Sequence, residues 1–76
     1  MALAENIKAK RIAKKMSQEE LSGLVGVSRM AICYYENGER VPDLYTGVKI
    51  AQALGTTAEK LISNQNLRKN VNNQKG

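Results

Sequence analysis

The stretch from Gln18 to Gly38, QEELSGLVGVSRMAICYYENG, gathers side chains suited to holding a partner rather than transforming one. It offers a guanidinium at Arg29, an amide at Gln18, a hydroxyl at Ser28 and softer contacts from Met30, Cys33 and Tyr34. A guanidinium carries five donors in a flat fork, which suits two-point recognition of paired acceptors. The ingredients of catalysis are missing. The chain has no histidine, no partner to turn Cys33 into a thiolate, no phosphate-cradling Gly-x-Gly run and no cluster at metal-ligand spacing. An active site would rest on scattered Glu and Lys, so the expectation is a binding protein without metal or cofactor. Cys33, for the same reason, is read as inert packing rather than a redox switch.

Two short helices must position these side chains. Ser17 followed by Glu20 is a capping box, so a helix starts at about Gln18. Leu21, Leu24 and Val25 recur at helical spacing, and Gly26 stands where a sharp turn needs tolerance of positive φ. Val27 packs beneath that turn. Ser28 caps a second helix whose inward side carries Ile32 and Tyr35, and Asn37-Gly38 closes it. With Ile32 and Tyr35 inward, helical geometry turns Met30, Cys33, Tyr34 and Asn37 outward and leaves Arg29 at the exposed N-terminal end. The pattern is a helix-turn-helix.

Other helices complete an all-α domain. Residues 3–15 read as an amphipathic helix with Leu3 and Ile7 inward and Lys8, Lys10, Lys14 and Lys15 over the remaining surface. Asp43 caps a helix from Leu44 to Leu54 that Gly55 ends, and Pro42 suits an extended approach to it. Thr57 caps a last short helix that returns Leu61 and Ile62 to the core. Gly47 and Gly23 lie inside helices, at about 1 kcal/mol each relative to alanine. From Asn64 to Gly76 the chain is rich in Asn, Gln and Lys, with Leu67 and Val71 its apolar residues, and is expected to be a flexible basic tail.

The spacing of Gln18, Ser22, Gly26 and Ile32, followed by Glu36-Asn37-Gly38, resembles the Cro/repressor-type helix-turn-helix family of bacteria and their phages and plasmids. Ile7 to Arg11 is similar to that family's first helix, Val41-Pro42-Asp43-Leu44 to its loop into helix four, and Ile50 to Gly55 to the end of helix four. The resemblance covers residues 3–62. It implies a compact bundle of five helices in which the third lies in the major groove of double-stranded DNA. Its base-reading positions correspond to Arg29, Met30 and Tyr34, in agreement with the helical wheel, which adds Cys33. Arg29 suits guanine O6 and N7, whereas Met30 and Tyr34 suit thymine methyls.

Phosphates fall to other residues. The amide of Gln18 stands beside the free N–H groups of a helix start, where the helix dipole favours an anion. Ser28 occupies the same place on the next helix, with Asn37, Lys10 and Lys14 adding to the contacts and the field. Arg40 resembles a family position beside the backbone. Arg11 and Glu36 correspond to positions that form a structural ion pair in some members. On this reading Arg29→Ala relaxes preference at one base position, and Gln18→Ala weakens binding to all sequences about equally. The resemblance further implies a homodimeric regulator, a repressor binding an inverted repeat, with its dimer surface around Leu54 to Ile62.

Composition bounds the same answer. Seventy-six residues make one small domain, and +5 formal charge with a pI near 9.6 favours a polyanionic partner. The single Cys33 excludes an intrachain disulfide, no apolar run approaches the ~20 residues that cross a bilayer, and no signal peptide is evident. A reducing cytoplasm is the expected compartment. No small-molecule ligand domain is expected. The rival reading is a protein-interaction module of the antitoxin or antirepressor type, using the apolar Met30, Cys33 and Tyr34 face to hold a protein. Arg29 and the positive charge weigh against it.

Overall fold

A computed structural model describes residues 2–63 and shows five helices in the order α1 Ala2–Ala13, α2 Gln18–Val25, α3 Arg29–Asn37, α4 Leu44–Ala53 and α5 Ala58–Ile62. The expected basic tail at 64–76 lies outside the described residues. The helices close a ring of neighbours: α1 packs on α3 and α5, α2 on α3 and α4, and α4 on α5. At its centre sit Ile7, Leu21, Ile32, Ile50, Leu54 and Leu61, all fully or almost fully buried. Leu3, Met16, Val27 and Tyr35 pack around them.

Local chemistry sets the helix ends. Ser17 accepts from the Glu20 N–H while the Ser17 N–H donates to Glu20 Oε1, completing the capping box at 2.9 and 2.8 Å. Asp43 and Thr57 cap α4 and α5 by the same side-chain acceptance. Gly26 ends α2 at φ 86°. No neighbour lies within 4 Å of a Cβ built there, so the backbone conformation rather than crowding calls for glycine.

Four expectations need correction. Helix α1 stops at Ala13 rather than at residue 15, because Lys15 turns into the left-handed region at φ 56°. Leu24 is 63% exposed, and buried Ser22 takes the inward place beside Leu21 and Val25. A small residue there lets α2 approach its neighbours. Ile62 is also 63% exposed, although Leu61 is buried. Adjacent residues on a helix point about 100° apart, so the five-residue α5 turns only one of the two into the core. Helix α4 ends at Ala53, with Leu54 as its C-cap.

Candidate nucleic-acid interface

Helix α3 is anchored at both ends and along one side. The Ser28 hydroxyl accepts from the Ala31 N–H at 3.1 Å, and Gly38, at φ 79°, donates its N–H to the carbonyls of Tyr34 and Tyr35. Ile32 and Glu36, four residues apart, share the buried side. Arg29, Met30 and Asn37 are exposed on the outside, while Cys33 and Tyr34 are partly buried beside them.

A buried carboxylate needs donors, and Glu36 has three. Arg11 Nε donates to Oε2 at 2.6 Å and Arg11 Nη2 to Oε1 at 3.1 Å, a two-pronged pair whose side chains are only 12% and 1% exposed. Arg11 Nη1 also donates to the Met16 carbonyl at 2.7 Å and so holds the loop between α1 and α2. The third donor is Gln18 Nε2, at 3.0 Å from Glu36 Oε1. The Gln18 oxygen then accepts a long contact from Arg29 Nη1 at 3.4 Å. Three helices thereby meet in one polar chain running from Arg11 in the interior to Arg29 at the surface.

Tyr34 and Asn37 are also paired. Arg40 lies over the ring of Tyr34, its guanidinium carbon 5.1 Å from the centroid, a cation–π contact that joins the loop after α3 to the helix face. Asn37 Nδ2 approaches Cys33 Sγ at 3.5 Å. Lys10 is exposed in the last turn of α1. The Lys14 ammonium lies 3.3 Å from where a Cβ on Gly55 would sit, beside the C-terminal end of α4, where a helix dipole favours a cation. Among the described residues no group of three or more His, Cys, Asp or Glu gathers to hold a metal ion.

A profile of the helix-turn-helix family matches residues 7–61, from α1 almost to the end of α5. The chain belongs to the Cro/repressor-type helix-turn-helix family. Such a protein is a DNA-binding transcriptional regulator. Control protein C.SmaI of Serratia marcescens is 38% identical over 66 residues, spanning 87% of this chain and 79% of that protein. The P22 c2 repressor, solved with a synthetic operator, superposes with a TM-score of 0.79 at 30% identity, covering 83% of this chain and 96% of the repressor. The restriction-modification controller C.AhdI of Aeromonas hydrophila gives 0.77 at 31% identity, with 80% and 92% covered.

Beyond the helix-turn-helix, sequence reasoning missed an apolar edge. Val41 and Leu44 are 63% and 82% exposed and with Ile62 border an apolar groove of about 180 Å³ floored by Ile7, Ile50 and Leu61, and Tyr45, next to Leu44 in the chain, is 70% exposed. Leu54 and Leu61, which the family resemblance puts in the dimer surface, are consumed by the chain's own core. The signal was the Val-Pro-Asp-Leu-Tyr run itself, where apolar residues flank a helix cap that must stay in solvent. No helix among the described residues is long and apolar enough to cross a membrane.

Proposed function

We propose that the protein is a repressor that binds an inverted-repeat operator as a homodimer, each copy laying α3 in the major groove. The observation that carries this reading is the two-sidedness of α3: Ile32 and Glu36 bind its inner side to the domain, and its outer side is left to Arg29, Met30, Cys33 and Tyr34. Arg29 reads a guanine through O6 and N7, and Met30, Cys33 and Tyr34 lie against neighbouring base edges. Gln18, Ser28, Asn37 and Arg40 meet phosphates on either flank, and Lys10 and Lys14 add to the attracting field. The exposed apolar edge of Val41, Leu44, Tyr45 and Ile62 is the surface for the second copy. A twofold axis there sets two reading helices one DNA turn apart, about 34–36 Å. The compartment is the cytoplasm, where the operator lies. Control comes from protein concentration or a protein partner rather than from an inducer, and a small molecule that altered operator affinity would sink that part.

Selection from a random duplex library by the purified protein at about 150 mM salt, where counterion-release attraction alone is weakened, tests the whole reading. The expected product is an inverted repeat. Binding that enriches no sequence and vanishes as salt rises would instead favour a protein partner for the same face.

A further inference from the structure

We infer that Gly47 opens a socket for Leu44 of the partner subunit, so that each copy in a dimer seats one leucine of the other. The inference rests on the homodimer reading and names the contact that holds the two copies together.

Gly47 stands inside α4, where glycine is destabilising relative to alanine. Neither backbone conformation nor crowding calls for it. Its φ lies outside the positive region that Gly26, Gly38 and Gly55 occupy, and nothing lies within 4 Å of a Cβ built on it. Gly23 has the same open space but faces solvent, whereas Gly47 is part-buried and lines the apolar groove. The missing side chain therefore leaves room against the core itself: Ile7, Ile50 and Leu61, each at most 1% exposed, share the lining with Leu3. Among the described residues that line the groove, Asp43 is the one polar side chain. An aliphatic cavity of about 150 Å³ stays dry and takes an apolar guest, and this groove offers about 180 Å³.

The guest stands on the same edge. Leu44, one helical turn before Gly47, borders the groove and yet is 82% exposed, the highest value among the large apolar residues described. Knob and socket three residues apart on one helix meet the rule of a twofold contact, in which residue i touches j and j touches i. With Leu44 of each copy over Gly47 of the other, the two α4 helices run antiparallel and the axis passes between Tyr45 and Thr46. A glycine at the crossing lets the backbones approach closely. A different protein would have to bring its own knob and would leave Leu44 in water, whereas a second copy fills the socket and covers the leucine with one contact made twice.

The test takes the dimer dissociation constant of the full chain from sedimentation equilibrium, and its stability from melts at dilutions where the monomer predominates. Gly47→Leu fills the socket from its own chain, so it is expected to melt above wild type and yet to dimerise roughly tenfold more weakly or worse. Gly47→Ala, the smaller change should the leucine variant fold poorly, is expected to move both quantities in the same directions, with the dimer weakened about threefold. Leu44→Ala is expected to weaken the wild-type dimer roughly tenfold and to add little in the Gly47→Leu background, since the two changes remove one contact. Wild-type dimerisation by both Gly47 variants, with Leu44→Asp monomeric, would overturn the socket while leaving the edge as the interface. If benzene then raised the melting temperature of wild type but not of Gly47→Leu, the groove would belong to a small apolar molecule instead. A wild-type chain that stays monomeric at every concentration would overturn the homodimer reading and this inference with it.

Discussion

The outer face of α3 and the edge formed by Val41, Leu44, Tyr45 and Ile62 are both exposed, and they differ in kind. On α3 the outward groups are Arg29, Asn37, Met30 and the partly buried Cys33 and Tyr34, and all but Met30 are held in pairs: Arg29 with Gln18, Cys33 with Asn37, Tyr34 with Arg40. Along the edge they are aliphatic and aromatic, and Tyr45 has a cation over its ring, Lys49 at 5.1 Å. Water already satisfies the polar groups of the first face, so a partner there must match donors and charge. It is excluded from the second at a gain, so a partner there needs only to fit. A small domain thus carries a largely polar helix face and an apolar edge, and each can be damaged without the other.

Leu44→Asp attacks the edge and sharpens the contrast most. Leu44 is 82% exposed, so the monomer should keep its stability. Every change in a twofold interface acts twice, and at roughly 1.5–3 kcal/mol per buried leucine the dimer loses about 3–6 kcal/mol. Sedimentation should show a folded monomer with much weaker operator binding. Unaltered dimerisation would mean that the edge is not the interface.

Arg11→Ala attacks the support beneath the reading face. It leaves the buried Glu36 carboxylate short of two donors, a loss of about 3–5 kcal/mol that thermal or urea unfolding would register. DNA affinity should fall with the folded fraction. A wild-type melting curve would mean that water replaces the guanidinium without cost.

Arg29→Ala attacks the reading face itself and should cost roughly 1–3 kcal/mol of discrimination at one base, with monomer stability and dimerisation unaltered. The sequence logo from a repeated selection is the measurement. If several positions changed together, the helix would be displaced in the groove.

Gly23→Ala moves stability alone. Gly23 is exposed in mid-α2 and nothing lies within 4 Å of an added Cβ, so alanine should stabilise the fold by about 1 kcal/mol, seen as a higher melting temperature. The smallest effect belongs to Asp43. Its carboxylate accepts from the Thr46 N–H at 2.7 Å, which holds its pKa below the ordinary 3.8. The folded value being the lower one, this contribution is present above the unfolded pKa and is lost as pH falls through the folded value. Melts at successively lower pH should therefore converge for wild type and Asp43→Ala; a constant gap would mean that protonation does not break the cap.

Helix ends were readable from single residues because capping is local: Ser17, Ser28, Asp43 and Thr57 each satisfy an N–H three positions on, and Gly26, Gly38 and Gly55 supply positive φ. The outward face of α3 was readable because 3.6-residue periodicity follows from the helix alone. Lys15 was harder, since nothing in a lysine announces a left-handed residue.

The sequence by itself therefore determined the caps, the turn, the helical order and the outward face of α3, all of which depend on interactions spanning a few residues. The tertiary structure decided which of Leu61 and Ile62 is buried, that Leu24 stays outside, and that Leu44 and Tyr45 remain uncovered. It also decided that Gln18 touches both Glu36 and Arg29, 18 and 11 residues away in the chain. Those outcomes depend on the angles at which five helices close on one core, and no periodicity within a single helix carries that information.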